Sequence, residues 1–280
     1  MNSAIFWPDP GSWLTWVKLY RQALVLTFCL FRMMRLDLSR AESRKPLLEW
    51  GMPRAFFPTL FCGSTSNVPE LRELQKLATQ VYFRSGRTIF AEGEVADNVF
   101  GLSQGVVRLY KLLPDGRRQV VAFALPGDFL GMPLAERHNF SADAIGEVAL
   151  CRFSRDELTK LILSNPSMMR LIIEFVTREL DMAQDQLLLL GNGSAEEKVA
   201  TFLVNWRNRL ARLSVFSETV PLPMRRQDIA DFLGLKLETV SRTLARLEQK
   251  NAIRVVPKGV FLTGLEQALI VTGRSYQAHI

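Results

Sequence analysis

Three residues near the end of the chain carry groups that can recognise DNA bases: Glu238, Ser241 and Arg242. Arginine can donate two parallel hydrogen bonds to O6 and N7 of guanine, glutamate can accept from the N4 amine of cytosine, and serine can reach thymine. On a helix, residues three and four positions apart share one face. These residues are therefore predicted to read base edges in the major groove of double-stranded DNA.

Further basic and polar residues surround this set and suit phosphate oxygens. Phosphate contacts add affinity and orientation without carrying sequence information. The net charge of +7 and the pI near 9.6 also favour a polyanionic partner. The residues predicted to contact the DNA backbone are Arg225, Arg226, Lys236, Thr239, Arg246, Lys250 and Lys258.

Two short helices and a hairpin are predicted to position these side chains. The first helix runs from Arg226 to Leu233 and the second from about Leu237 to Lys250, with Gly234 supplying left-handed backbone between them. Residues 252–264 are predicted to form a β-hairpin, or wing, beside them. An ordinary helical hairpin without DNA contacts is the alternative. The second helix is expected to bury Leu237, Val240, Leu244 and Leu247.

Residues 81–153 show short apolar stretches broken by glycines. Alternating segments, "GVVRLYKLL" and "RQVVAFAL", flank the turn sequence "PDG" at Pro114 to Gly116. This pattern predicts antiparallel hairpins, and several such hairpins form a small barrel or roll.

Between residues 165 and 190, apolar residues recur at alternating steps of four and three, as in a coiled-coil seam. This seam predicts a homodimer. A second apolar strip, at Leu171, Ile172 and Phe175, allows the alternative that the helix packs on its own β-roll, and both contacts can coexist. The predicted seam consists of Met169, Ile173, Val176, Leu180, Ala183, Leu187 and Leu190.

The predicted fold class is therefore α+β, with a β-roll, a long helix and a winged helix-turn-helix. The domain boundaries are predicted at 1–68 for an N-terminal extension, 69–164 for the roll, 165–191 for the dimerisation helix and 192–280 for the DNA-binding domain. Residues 1–68 are expected to be a disordered extension or the product of a misassigned start. Their apolar run at 23–31 is too short to span a bilayer, so no membrane partner is expected. An amphipathic anchor that lies in the membrane interface is the alternative.

The cysteines, Cys29, Cys62 and Cys151, are too few and too scattered for a disulfide framework or a metal site. We therefore expect a cytoplasmic protein with no metal and no cofactor.

The stretch "MRRQDIADFLGLKLETVSRTLARLEQKNAIRV" resembles the winged helix-turn-helix of the CRP/FNR family of bacterial transcription regulators. Upstream, "GVVRLYKLLPDGRRQVVAFALPGDFLG", "SADAI" and "LLLLGNGSAEEKVATFL" extend the similarity to about residues 80–265, and it is greatest to the FixK branch. The resemblance implies a homodimeric activator of genes for low-oxygen respiration, nitrogen fixation or denitrification, with RNA polymerase as a partner. The family motif E-x-x-S-R is present as Glu238, Ser241 and Arg242, and implies a palindrome similar to TTGAT-N4-ATCAA.

Three positions depart from the family pattern. Phe140 stands where members that bind cyclic AMP carry a phosphate-binding arginine, so cyclic-nucleotide binding is not expected. Only Cys151 matches the four cysteines that hold the iron–sulfur cluster of oxygen-sensing members, so Cys151 is expected to be a small buried strand residue, with a redox role as the alternative. Lys236 replaces a threonine that could cap the recognition helix, and a nearby phosphate would offset that loss.

Two other functions remain open on the sequence. The same regulator could carry haem or a small molecule in its roll, with His138 as a candidate ligand, although a solvated loop histidine is the simpler interpretation. An enzyme built on the roll is the third hypothesis. The sequence has no Ser/His/Asp set, no metal-spaced cluster and no phosphate-cradling glycine loop, so we predict that the chain is not an enzyme.

Overall fold

A computed structural model describes residues 69–131, 136–213 and 219–264. The N-terminal extension predicted at 1–68 lies outside the described residues. The described residues belong to one compact unit. None of the helices in these ranges is long and apolar enough to cross a membrane.

The roll is an antiparallel sheet, as predicted. Its strands are ordered β1-β6-β3-β4, with β2 paired to β6 and β5 paired to β3. Gly116 lies in the turn between β3 and β4 with φ of 80°, which confirms the "PDG" turn. The roll contains α1 (Pro69–Leu77), β1 (Thr79–Phe83), β2 (Thr88–Phe90), β3 (Asn98–Leu112), β4 (Arg118–Ala124), β5 (Phe129–Leu130) and β6 (Ser141–Ser154).

Helices dominate the remainder of the chain, and the predicted α+β class is confirmed. A side-chain oxygen of Asn165 accepts hydrogen bonds from the backbone amides of Ser167 and Met168 and so caps the longest helix, while Ser194 and Glu197 form a capping box at the next one. The elements are α2 (Arg155–Ser164), α3 (Pro166–Asn192), α4 (Ala195–Arg212), β7 (Thr219–Pro221), α5 (Arg226–Leu233), α6 (Leu237–Gln249), β8 (Ile253–Val256) and β9 (Gly259–Leu262).

Helix α3 covers the roll with one face. Met168 is buried, Ile172 packs against the same apolar cluster, and the ring of Phe175 lies 5.6 Å from that of Phe129 in an edge-to-face contact. This confirms that the helix packs on its own roll. The roll does not cover most residues of the predicted seam. Five of them are exposed, namely Ile173, Val176, Leu180, Ala183 and Leu187, and the other two, Met169 and Leu190, are half-buried.

One apolar core joins the roll to the helices that follow α3. The ring of Phe123, on β4, lies 6.2 Å from Phe202, 6.1 Å from Trp206 and 5.4 Å from Phe232. Strand β4 carries an extra residue, Val121, relative to β3. Because such a bulge shifts the alternation of side chains, Arg118 and Phe123 both face α5.

Two glycines of the roll test how much the sheet depends on close backbone packing. Gly105 has φ of 93°, and a Cβ there would lie 2.4 Å from the carbonyl oxygen of Glu147, whereas at Gly116 a Cβ would meet open space. We expect Gly105→Ala to lower the free energy of unfolding by at least about 3 kcal/mol, against about 1 kcal/mol for Gly116→Ala. Chemical denaturation measures both, and equal losses would contradict this account.

Candidate nucleic-acid interface

Helices α5 and α6 meet at the predicted glycine turn. Gly234 has φ of 63° and ψ of 35°, and the amide of Leu235 donates to the carbonyl oxygen of Ala230 at 3.0 Å. Left-handed backbone of this kind favours glycine. Ile229, Ala230 and Leu233 are buried as expected.

One side of α6 packs into the core, and this fixes which side faces solvent. Val240, Leu244 and Leu247 are buried as predicted, with Thr243 beside them. Leu237 is 38% exposed, so the prediction that it is buried is wrong. As the first residue of α6, Leu237 lies past the end of the buried face.

The three predicted base-reading residues lie together on the outer side of α6. Glu238 and Arg242 are exposed, and Ser241 and Thr239 are half-buried. Within the described ranges, neither Glu238 nor Arg242 has an ion-pair partner. Their charged groups are therefore available to a ligand that approaches α6 from solvent.

The predicted phosphate-binding cations fall into two groups. Arg225, Arg226, Lys236 and Lys258 are exposed, and no ion pair in the described part of the chain involves them. In contrast, Arg246 and Lys250 share one acidic partner, Glu196, at the start of α4. The Nη1 atom of Arg246 lies 4.0 Å from Oε2 of Glu196, and the Lys250 ammonium forms an ion pair with Oε1. Glu196, which the sequence did not single out, partly neutralises the second group.

The N-terminus of α6 has no side-chain cap. Lys236 occupies the N-cap position and makes no capping hydrogen bond, as its chemistry predicts. The first amides of a helix lack partners within the helix and can bind an anion.

The wing is present as predicted, and β7 adds a third strand to it. Lys258 forms its tip with φ of 64°, which is uncommon for a lysine, and its carbonyl oxygen accepts from the amide of Leu222 at 2.8 Å. A Cβ at Gly259 would lie 2.6 Å from the carbonyl oxygen of Val220. The tip that carries Lys258 therefore has a backbone shape fixed by its neighbours.

Comparisons with known proteins agree with this architecture. Residues 80–165 match the cyclic nucleotide-binding domain family, and residues 197–267 match the Crp-like helix-turn-helix domain family. The chain is 53% identical over 199 residues to the nitrogen fixation regulation protein FixK of Bradyrhizobium diazoefficiens, covering 71% of this chain and 84% of that relative. It is 57% identical over 188 residues to the transcriptional activatory protein AadR of Rhodopseudomonas palustris, covering 67% and 79%.

The structure of FixK2 from Bradyrhizobium japonicum is similar, with a TM-score of 0.64 and 37% sequence identity over 68% of this chain and 94% of that one. The chain belongs to the FixK-like group of the CRP/FNR family. This family consists of DNA-binding transcription regulators, so the prediction that the chain is not an enzyme is confirmed.

A cluster of charges that the sequence analysis missed joins this FixK-like regulator's roll to α5. Arg108 lies 2.6 Å from Asp228 and 2.7 Å from Asp143, and Arg118 lies 2.7 Å from Asp228 and 2.9 Å from Asp231. Burial lowers the pKa of Arg108, but hydrogen bonds and charges from Asp143 and Asp228 outweigh that effect and raise it above its ordinary value. We call these five residues the Asp228 cluster. The stretch "GVVRLY" contains one indication of this cluster. Its alternation places Arg108 on the outer face of the roll rather than on the inner face.

The position where cyclic-AMP-binding members of the family carry an arginine is partly exposed here. Phe140 is 37% exposed, and the ammonium of Lys111 lies 5.3 Å from the centre of its ring. Lys111 is itself paired with Glu92 at 2.9 Å. A cation close to Phe140 is thus already neutralised by a carboxylate.

His138 is not a solvated loop residue, and that interpretation is wrong. It is 7% exposed, and its ring stacks on Phe90 at 3.8 Å. The loop folds back because the His138 amide donates to Glu94 and its carbonyl oxygen accepts from Gly93. Burial lowers the pKa of His138, and the charge of Glu94 only partly opposes this effect.

Cys151 is completely buried on β6, as expected. It packs in the apolar cluster between the roll and α3, which confirms the expectation of a small buried strand residue.

Glu196 should weaken DNA binding because it competes with phosphates for Arg246 and Lys250. We expect Glu196→Gln to raise the affinity for duplex DNA about two- to fivefold, the range of an exposed ion pair of up to about 1 kcal/mol. The salt dependence of binding should also become steeper, because more cations then contact phosphates. Fluorescence titration at several salt concentrations measures both quantities.

The matched control is Glu147→Gln, which removes the same charge from an exposed position on β6 of the roll. If Glu196→Gln leaves affinity unchanged, or changes it only as much as the control does, the competition does not exist.

Proposed function

We propose that the chain is a homodimeric, sequence-specific transcription activator that binds palindromes similar to TTGAT-N4-ATCAA through α6. One observation carries this proposal: Glu238, Ser241 and Arg242 share the outer side of a helix whose other side is buried. The major groove of B-form DNA is wide enough to admit an α-helix.

In this proposal the three residues divide the recognition of one half-site. Arg242 donates two hydrogen bonds to guanine, Glu238 accepts from cytosine, and Ser241 contacts thymine. The absence of ion pairs to Glu238 and Arg242 within the described residues supports this division, because neither group must first leave an internal partner.

Phosphates hold α6 in register in the proposed complex. Lys236 and the uncapped amides of α6 bind one phosphate, and Lys258 reaches another from the wing. The remaining proposed backbone contacts come from Arg225, Arg226, Thr239, Arg246 and Lys250.

The exposed seam of α3 is the proposed contact with a second copy of the chain. Ile173 is 49% exposed and Leu187 is 60% exposed, although neighbouring apolar residues of α3 are covered by the roll. Burying such side chains is favourable by about 25 cal/mol per Å² of apolar surface. Two-fold pairing would place two α6 helices one helical turn of DNA apart, roughly 34 Å, as a palindrome requires.

We further propose that the roll works without a bound nucleotide or haem. Phe140 supplies no charge for a phosphate, and Lys111 is held by Glu92. The proposed target genes serve low-oxygen respiration, nitrogen fixation or denitrification, as the family resemblance implies. Two relatives that are named nitrogen fixation regulation proteins support the second of these. Such an activator works in the cytoplasm with RNA polymerase as its partner. The corresponding domains are the roll at 69–164, the dimerisation helix at 165–191 and the DNA-binding domain at 192–280.

The base-reading role of Arg242 has a specific signature. Arg242→Ala should remove discrimination between the palindrome and a duplex in which the half-site guanine is replaced, a loss of about 1–3 kcal/mol. Arg246→Ala is the matched control and should weaken binding to both duplexes equally, because phosphate contacts carry no sequence information. If Arg242→Ala retains the wild-type discrimination, the assignment of Arg242 to guanine is wrong.

The seam makes a separate prediction. Val176→Glu combined with Leu180→Glu should convert the protein to monomers in sedimentation velocity and should weaken binding to the full palindrome. Leu112 and Leu163 are exposed apolar residues outside α3, so replacing both with glutamate is the matched control and should leave the dimer intact. A dimer that survives the seam substitutions would show that α3 does not join the subunits.

A further inference from the structure

We propose that Arg108 and Arg118 are positioning residues for DNA recognition, because they fix α5, and through it α6, relative to the roll and α3. Neither residue is among those proposed to contact DNA, and both are paired with carboxylates inside the protein. This inference rests on the proposed function, since it concerns how accurately two α6 helices are placed on a palindrome.

Asp228 connects the roll to the start of α5 with both of its oxygens. Oδ1 accepts from Arg108 at 2.6 Å and from Arg118 at 2.7 Å, while Oδ2 accepts from the backbone amide of Arg225 at 2.9 Å and so caps the helix. The Asp228 side chain is only 3% exposed. One buried carboxylate therefore ties the first turn of α5 to two strands of the sheet.

The other end of α5 is held as well. The side-chain amide of Gln119, on β4, donates to the carbonyl oxygen of Asp231. The side-chain amide of Gln186, on α3, donates to the carbonyl oxygen of Phe232 at 3.3 Å. The last carbonyls of a helix have no partners within the helix, so these two amides satisfy them. The roll and the proposed dimerisation helix thus hold the same end of α5.

Other residues of the sheet contact the two arginines and restrict the positions of their guanidinium groups. Asp143 is the cross-strand neighbour of Arg108, and Oδ1 of Asp143 accepts from Thr88 at 3.0 Å. The ring of Tyr110 lies 5.5 Å from the guanidinium of Arg108 and 5.7 Å from that of Arg118. Because these neighbours restrict both guanidinium groups, a shift of α5 would break hydrogen bonds rather than carry the arginines along.

Charged hydrogen bonds can set an orientation that apolar packing alone does not. The core around Phe123 attracts the helices to the roll, but apolar contact is non-directional. Charge-assisted hydrogen bonds are short and directional. Since the turn at Gly234 is short and α5 packs on α6, the direction of α6 follows that of α5.

A charge exchange tests this inference. Arg118→Glu places a carboxylate beside Asp228 and Asp231, so α5 should leave its position. We expect at least a tenfold loss of affinity for the palindrome, about what one lost charge-assisted hydrogen bond produces. The preference for a four-base-pair spacer over five- and six-base-pair spacers should also shrink, because the two α6 helices are no longer held at one separation.

Adding Asp231→Arg to Arg118→Glu restores opposite charges at one of the two contacts, while Asp228 still faces a carboxylate, so the double variant should recover part of the affinity and part of the spacer preference. The matched control is Arg117→Glu, which makes the same charge change at the adjacent residue. Among the described residues, Arg117 forms an ion pair only with Asp115, at the exposed hairpin turn, so this variant should keep the wild-type spacer preference. Spacer preference is the decisive readout, because a general loss of stability would lower binding to every spacer alike.

If Arg118→Glu does not fold, Arg118→Gln provides the milder change and the same readout. A folded Arg118 variant that keeps the wild-type spacer preference overturns the inference. So does a double variant that remains as defective as Arg118→Glu. If the wild-type protein itself does not distinguish the palindrome from a scrambled duplex, the proposed function fails instead, which separates the two results.

Discussion

The burial of one side of α6 is the constraint on which the rest of the structure depends. Val240, Leu244 and Leu247 can leave water only if that side packs against the neighbouring helices, so the polar side must face out. Glu238 and Arg242 are presented to solvent as a consequence.

The roll and the DNA-binding helices form one packed body in this chain. Phe123 belongs to the same apolar core as Trp206 and Phe232, and the Asp228 cluster adds charged contacts across the same boundary. The roll thus supports the helix-turn-helix directly, whatever it binds. This contact supports the proposal that the roll acts without a bound nucleotide, in agreement with Phe140 at the position of the phosphate-binding arginine.

Local patterns in the sequence predicted most of the elements, whereas distant contacts were missed. The helical spacing of α6, the turn residue Gly234 and the hairpin before Arg118 each follow from neighbouring residues, so they could be predicted. The bond from Arg108 to Asp228 joins residues 120 positions apart, and no local pattern shows it. The same limit explains the error at His138, which is buried only because its loop folds back onto Phe90. The error at Leu237 has a different cause. Leu237 has the helical spacing of the buried residues of α6, but it lies beyond the end of the buried face.

Equilibrium binding to two duplexes tests the central claim most directly. The purified protein is titrated at about 0.15 M salt against a duplex that contains TTGAT-N4-ATCAA and against a scrambled duplex of equal length and composition. The account predicts that the palindrome binds at least about a thousandfold more tightly, as is typical of specific over non-specific sites. Equal affinities for the two duplexes would contradict it.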